Sequence, residues 1–159
     1  MVLEVHVILG FEMARKIVIV EDSPADAKIL RLALAEQDPA LEIVVLEDGR
    51  RAIDFFASAQ KSGDTLPCDL ILLDLNLPRV SGYEVLEFLK CDTELKRIPV
   101  VVLSGSSSQQ DVERAYTCSA NSYICKPVGI DEVFGMAAQL VTYWFECAKR
   151  PGSQRVLGA

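Results

Sequence analysis

The sequence LILLDLNLP (residues 70–78) places one carboxylate, Asp74, among leucines and an isoleucine. A continuous apolar run of this kind is typical of a strand that is covered on both faces, as in a parallel sheet. A charge inside such a strand is costly unless it is paired. We therefore expect Asp74 to mark the point where the strand leaves the core, and Pro78 to turn the chain away from it.

Apolar runs and amphipathic segments alternate along the chain on both sides of this stretch. The predicted strands are residues 16–20, 41–46, 69–75, 99–103 and 122–125, and the predicted helices are residues 24–37, 50–61, 82–91, 108–118 and 130–148. This order indicates an α/β fold, (βα)5, with a doubly wound five-stranded parallel sheet. Ser23 is predicted to cap the first helix, and one of Ser106, Ser107 and Ser108 the fourth.

The length of 159 residues and the hydrophobic fraction of 50% are sufficient for one domain with a sizeable core. We assign residues 15–149 to that domain and residues 150–159 to a C-terminal tail. Residues 1–14 are an N-terminal extension or a start artefact, because Met13 offers a second start. The first twelve residues lack a basic region and are too short to span a membrane, so we expect a cytoplasmic protein.

Charge and composition exclude several classes of function. The net charge of -7 argues against nucleic acid as a direct partner. The five cysteines show no metal-ligand spacing and are expected to be reduced. The single histidine, His6, excludes Ser-His-Asp triads and histidine-rich metal sites.

Polar groups gather at the carboxyl ends of the predicted strands, where open parallel sheets bind their ligands. Glu21 and Asp22 follow the first strand, Asp74 ends the third, Ser104 follows the fourth and Lys126 follows the fifth. Three carboxylates close together repel one another unless a cation intervenes. A hard divalent ion such as Mg²⁺ suits these oxygen ligands.

This set of groups favours phosphoryl transfer to a carboxylate. Asp74 is the candidate nucleophile, and a bound Mg²⁺ would screen its negative charge from an incoming phosphoryl group. Lys126 would balance the charge of the phosphoryl oxygens. The hydroxyl of Ser104 would donate a hydrogen bond to one of them, and Gly105 leaves room beside the site.

Four motifs resemble those of the receiver domain, the phosphoacceptor module of two-component response regulators. They are VIVEDSP (18–24), LILLDLNLPRVSGYEVL (70–86), VVVLSGS (100–106) and SYICKPV (122–128). The resemblance covers about residues 15–148 and implies the flavodoxin-like receiver fold. It also implies a signalling protein rather than an enzyme, one that catalyses only its own phosphoryl transfer and slow autodephosphorylation.

The resemblance assigns roles to individual residues. Asp74 would be phosphorylated by a sensor histidine kinase. Mg²⁺ would be bound by Asp22, Asp74 and the backbone carbonyl of Asn76, with Glu21 acting directly or through water. Ser104 and Tyr123 would form the switch pair, and Lys126 would contact the phosphoryl group. The Lys126–Pro127 peptide bond is expected to be cis.

A finer resemblance is to the stand-alone receivers partnered with bacterial and cyanobacterial phytochromes. It rests on the Glu-Asp-Ser-Pro opening at residues 21–24, the long polar loop at residues 58–69 and the aromatic end of the last helix. It implies a phytochrome as the sensor kinase. No output domain is apparent after residue 149, so we expect signalling through contact with a downstream protein or through a phosphotransfer protein.

Two other functions remain open from the sequence. A receiver-fold docking module would keep the fold while phosphorylation is idle. An aspartyl-nucleophile phosphatase needs a second acid two residues after the first, and this position is Asn76. A flavodoxin-type phosphate loop is disfavoured, because SGSSSQQ (104–110) follows the fourth strand instead of the first.

The last predicted helix, residues 130–148, carries more apolar surface than one sheet-docking stripe requires. Its apolar side chains spread over about 200° of an ideal helical wheel. The predicted surplus includes some of Phe134, Val141, Tyr143, Trp144 and Phe145. Since aromatic surface of this size is rarely left in water, we expect a homodimer through this helix.

Overall fold

The computed structural model describes residues 15–61 and 66–151, and its five strands form one parallel sheet in the order β2-β1-β3-β4-β5. The predicted N-terminal extension and all but two residues of the predicted tail lie outside the described residues. The strands are β1 (Lys16–Val20), β2 (Glu42–Leu46), β3 (Leu70–Leu73), β4 (Val100–Ser104) and β5 (Ser122–Cys125). The sheet confirms the predicted fold class.

Five α-helices connect and flank these strands. They are α1 (Pro24–Gln37), α2 (Gly49–Lys61), α3 (Gly82–Cys91), α4 (Gln109–Thr117) and α5 (Ile130–Val141). A 3₁₀ turn (Leu95–Arg97) precedes β4, and a π-helical turn (Thr142–Cys147) continues from α5. The π-helical turn occupies the end of the predicted helix 130–148. Within residues 15–61 and 66–151, no helix is long and apolar enough to cross a membrane.

The apolar strands have a core on each face because successive side chains of a strand point to opposite faces. In β3, Ile71 and Leu73 pack in the core formed with α2, α3 and α4. Leu70 and Leu72 pack in the other core, which is formed with α1 and α5. All four of these residues are buried, which explains why β3 shows no polar alternation.

Capping residues set the starts of three helices. The Ser23 side chain accepts a hydrogen bond from the backbone N–H of Asp26 at the start of α1, as predicted. Ser108 is the serine that caps α4, accepting from the N–H of Asp111. At α3, Ser81 and Glu84 form a reciprocal capping box, which was not predicted.

The segment after α5 packs back onto the domain through Phe145. This ring is 8% exposed, and Val141, in the last turn of α5, is 4% exposed. The guanidinium groups of Arg15 and Arg150 lie 5.7 Å and 4.4 Å from the centroid of the ring. Arg150 also pairs with Asp69, with an N–O distance of 2.6 Å. Val141 and Phe145 therefore do not belong to the predicted exposed surplus, because the chain buries them itself.

Candidate functional site

Asp74 is the first residue after β3, at the carboxyl edge of the sheet. Its backbone N–H donates to the carbonyl oxygen of Val20, at the end of β1, over 3.0 Å. The side chain is nearly buried, with the residue 6% exposed. Its Oδ1 accepts from the N–H of Asn76 (3.1 Å), and its Oδ2 lies 3.0 Å from the Nζ of Lys126. The prediction that Asp74 marks the end of the buried strand is confirmed.

Lys126 follows β5 and lies among three carboxylates. Its Nζ is 2.5 Å from Glu21 Oε2 and 3.5 Å from Asp26 Oδ2, in addition to its contact with Asp74. Burial alone would lower the pKa of Lys126, but hydrogen bonds to Glu21 and Asp74 and their negative charges raise it above its usual value. The lysine is therefore held in its charged form.

Glu21 is a buried acid directly after β1. Its Oε1 accepts from the backbone N–H of Ser23 (3.0 Å), while its other oxygen faces Lys126. Burial raises the pKa of the Glu21 carboxyl, against the opposing effects of Lys126 and the Ser23 N–H. Both of its oxygens are thus already engaged by protein groups.

Glu21, Asp22 and Asp74 form an acidic cluster in which one oxygen from each lies within 4.8 Å of the others. Glu21 and Asp74 are buried, whereas Asp22 is exposed, so the cluster opens to solvent on one side. This set of hard oxygen ligands on an open site fits a divalent ion such as Mg²⁺. The role predicted for the Asn76 carbonyl stays a prediction.

Ser104 and Tyr123 both contact the loop between β4 and α4. Ser104, the last residue of β4, is 1% exposed, and its Oγ accepts from the N–H of Ser106 over 3.2 Å. The Tyr123 hydroxyl donates to the carbonyl oxygen of Ser106 over 2.8 Å. Because the N–H of Lys126 donates to the carbonyl of Ser104 (2.8 Å), the ends of β4 and β5 are fixed beside each other.

The prediction of a cis bond between Lys126 and Pro127 was wrong, since residues 15–61 and 66–151 contain no cis peptide bond. The trans form is the ordinary preference of bonds that precede proline. Glu21, Asp22, Asp74, Ser104 and Lys126 nevertheless lie at the carboxyl edge of the sheet, whereas Tyr123 lies within β5.

Two groups near this edge were not predicted as site residues. Asp26, in the first turn of α1, faces Lys126, from which it is separated by 100 positions in the chain. Asp111 accepts hydrogen bonds from Ser106 and Ser108. Asp26 lies four residues after Asp22 in the sequence, and an acid so close to the Glu21–Asp22 pair is a signal that could have identified it. The contact of Asp111 with Ser108 is the local one expected between an N-cap serine and an acid three residues later. Its contacts with Ser106 and Tyr83 have no such local signal.

A known protein family matches most of the chain. The response regulator receiver domain matches residues 17–138 of the chain. The chain belongs to this family.

Several relatives of this receiver domain cover most of it. Response regulator Rcp1 of Synechocystis sp. is 36% identical over 137 residues, which are 86% of this chain and 93% of Rcp1. A probable methanogenesis regulatory protein, FilR2 of Methanothrix harundinacea, is 37% identical over 136 residues, 86% of this chain and 87% of FilR2.

Solved structures agree with the receiver fold. The crystal structure of the phosphorylated cyanobacterial phytochrome response regulator RcpA superimposes with a TM-score of 0.80 at 38% identity, covering 87% of this chain and 99% of RcpA. The Mn²⁺-bound form of Rcp1 gives a TM-score of 0.77 at 36% identity, covering 86% and 99%. The likeness to phytochrome response regulators predicted from sequence is thus confirmed.

Proposed function

We propose that this receiver domain accepts a phosphoryl group on Asp74 from the phosphohistidine of a sensor kinase. The observation that carries the proposal is the position of Lys126, whose charged Nζ lies 3.0 Å from Asp74 Oδ2 at the solvent-facing edge of the sheet. A carboxylate oxygen of Asp74 attacks phosphorus in line. The new O–P bond forms as the N–P bond to histidine breaks. The imidazole ring of the phosphohistidine is protonated on its other nitrogen, so histidine leaves in its neutral form.

Residues of the chain itself stabilise the product. Lys126 provides positive charge for the phosphoryl oxygens. The Ser104 hydroxyl can donate its proton to one of them, because the Ser106 N–H bonds to a lone pair of Ser104 Oγ and leaves the O–H available. Asp22, with Asp74 and Glu21, would hold Mg²⁺, and the backbone carbonyl of Asn76 would complete the set. The ion would supply charge screening between the carboxylates and the incoming phosphoryl group. The Mn²⁺-bound form of the relative Rcp1 supports a divalent ion here.

Phosphorylation would signal to partner proteins by changing the surface formed by α4, β5 and α5. As the Ser104 hydroxyl moves toward the phosphoryl group, it moves the Ser106 loop, on whose carbonyl the Tyr123 hydroxyl is held. The populations of two states of α4, β5 and α5 would then shift. The partners are a sensor histidine kinase of the phytochrome type and a downstream protein or phosphotransfer protein. The likeness to RcpA supports the kinase assignment.

We also propose a homodimer through the face formed by β5 and α5. β5 is an edge strand of the sheet, so its outer edge is available for a second copy. A groove of about 710 Å³ lies beside it, lined by Ile124, Met136, Tyr143 and Trp144 among others. Tyr143 remains 57% exposed. Tyr143 and Trp144 are the members of the predicted surplus that line this groove.

The phosphoacceptor proposal is tested by mass spectrometry after incubation with Mg²⁺ and acetyl phosphate. We expect one added phosphoryl group on the wild type and none on Asp74→Asn. Asp69→Asn is the matched control, because this aspartate lies at the opposite end of β3. No adduct on the wild type would favour a docking module with idle phosphorylation, and an undiminished adduct on Asp74→Asn would exclude Asp74.

The same samples distinguish a phosphatase. Steady release of phosphate from several phosphate esters would favour the phosphatase, whereas a receiver should release its own phosphoryl group only slowly.

The net charge of -7 supports a protein partner rather than nucleic acid, and we propose a cytoplasmic location.

A further inference from the structure

The β4–α4 loop is held by a set of side-chain contacts that centres on Asp111, in the first turn of α4. Its Oδ2 accepts from the hydroxyls of Ser106 (2.6 Å) and Ser108 (2.9 Å). The hydroxyl of Tyr83, on α3, lies 3.3 Å from both the Oδ1 and the backbone carbonyl oxygen of Asp111. We call Asp111, Ser106, Ser108 and Tyr83 the Asp111 clasp.

Ser106 connects the Asp111 clasp to the switch pair. Its N–H donates to Ser104 Oγ (3.2 Å), its carbonyl accepts from Tyr123 (2.8 Å), and its own hydroxyl donates to Asp111. The Ser108 N–H also donates to Ser106 Oγ over 3.2 Å. A single residue therefore contacts Ser104, Tyr123 and Asp111, and its position depends on all three.

Tyr83 connects the Asp111 clasp to the phosphoacceptor side of the sheet. It is buried in the second position of α3, next to Gly82, whose backbone packs directly on that of Asp74. The guanidinium of Arg114 lies 3.8 Å from the centroid of the Tyr83 ring and holds the ring from the α4 side. Since a charge-assisted hydrogen bond is stronger than a neutral one, the carboxylate of Asp111 is the strongest acceptor available to these hydroxyls.

We propose that Asp111 is a positioning residue, which through Ser106 sets where the Ser104 hydroxyl lies relative to a phosphoryl group on Asp74. Asp111 itself touches neither the phosphoryl group nor the acidic cluster. It restrains the β4–α4 loop, so that Ser104 reaches the phosphoryl oxygen without the cost of first ordering this loop. This inference rests on the proposed function of Asp74.

The test is isothermal titration calorimetry of the whole chain with trifluoroberyllate, a phosphoryl mimic, at saturating Mg²⁺, and separately with Mg²⁺ alone. For Asp111→Asn we expect trifluoroberyllate affinity to fall about tenfold, the effect of losing one charge-assisted hydrogen bond. Affinity for Mg²⁺ alone should be unchanged. Tyr83→Phe, which keeps the ring on Arg114, should lower trifluoroberyllate affinity by about threefold.

Glu113→Gln is the matched control, because it removes the same charge from the same helix at an exposed residue whose described side-chain contact is with Gln109, outside the Asp111 clasp. It should bind both ligands like the wild type. Ser106→Ala, which removes the hydroxyl that donates to Asp111, should reproduce the Asp111→Asn result and serves as the readout if that variant does not fold.

Three outcomes decide between the proposals. Wild-type trifluoroberyllate affinity in both Asp111→Asn and Ser106→Ala would overturn the positioning role. Parallel losses of Mg²⁺ and trifluoroberyllate affinity would also overturn it, since they would indicate general loosening of the site. A wild type that binds no trifluoroberyllate and forms no acyl phosphate would instead contradict the proposed function of Asp74.

Discussion

Gly82 packs against the backbone of Asp74 so closely that a Cβ atom on Gly82 would lie 2.2 Å from the Asp74 carbonyl oxygen. The same atom would lie 2.5 Å from the Cα of Leu75, so backbone rather than a flexible side chain blocks it. The N–H of Gly82 also donates to the carbonyl of Leu75 over 3.0 Å. The first turn of α3 thus holds the phosphoacceptor backbone in place, and only glycine permits this approach.

We expect Gly82→Ala to lower the free energy of unfolding by about 3 kcal/mol, because overpacking against backbone must displace α3 or Asp74. Gly135→Ala is the matched control, since a Cβ atom there meets nothing within 4 Å. Because Gly135 lies within α5, Gly135→Ala should raise the free energy of unfolding by about 0.5–1 kcal/mol. Urea denaturation of both variants measures the difference, and equal stabilities would contradict the close approach.

Lys126→Met should destabilise the protein by about 3 kcal/mol in EDTA, because Glu21 and Asp74 then lie buried without a counter-charge. Added Mg²⁺ should restore more stability to this variant than to the wild type. Lys96→Met, at an exposed lysine of the 3₁₀ turn, controls for net charge. Urea denaturation with EDTA and with Mg²⁺ measures both effects. A variant whose stability responds to Mg²⁺ no more than the wild type would argue against a shared site.

The phenol of Tyr83 should titrate above its usual pKa of 10.0, because burial and the neighbouring Asp111 carboxylate both raise the pKa. A folded-state pKa that is raised in this way contributes stability that is present below about pH 10 and is lost as the pH rises through the folded pKa. Asp111→Asn should lower the pKa of Tyr83. Carbon NMR of labelled tyrosine measures the titration, and an unchanged Tyr83 in Asp111→Asn would contradict the contact.

For the homodimer, sedimentation of Tyr143→Arg should give a monomer where the wild type gives a dimer. The reason is that a charged side chain in the groove beside β5 would be buried without a partner. Leu32→Arg is the control, because Leu32 is 55% exposed on α1 and lies outside the groove. It should sediment like the wild type. A monomeric wild type, with and without the phosphoryl mimic, would exclude the dimer.

Much of the fold was predictable because the central strands β1, β3 and β4 are buried on both faces. Continuous apolar runs located all five, and their carboxyl ends then located Glu21, Asp74, Ser104 and Lys126 at one edge. Because the carboxyl ends of parallel strands lie at the same edge of a sheet, these residues come together regardless of how the side chains pack in the core. The start of α1 at Pro24 was equally predictable, since its capping contact is local.

Other features depend on residues that are distant in the chain and show no periodic pattern. The helical wheel of residues 130–148 predicted more apolar surface than the sheet could cover. A wheel could not show that Arg15 and Arg150 cover the ring of Phe145. Tyr83 and Asp111 are separated by 28 positions and lie on different helices, so their contact has no sequence signal. The reach of Lys126 to Asp26 likewise appears only when α1 and β5 are placed in the sheet.

The contact of Arg15 and Arg150 with the single ring of Phe145 has a practical consequence for engineering this domain. Arg15 leads into β1 at the amino edge of the sheet, and Arg150 lies at the same ring, so polypeptide joined at either position leaves from one side. Asp74 lies at the other edge. A fluorescent protein or affinity tag fused near residue 15 or 150 would therefore leave the approach of a kinase unobstructed, and the nearness of the two positions makes the domain suitable for circular permutation.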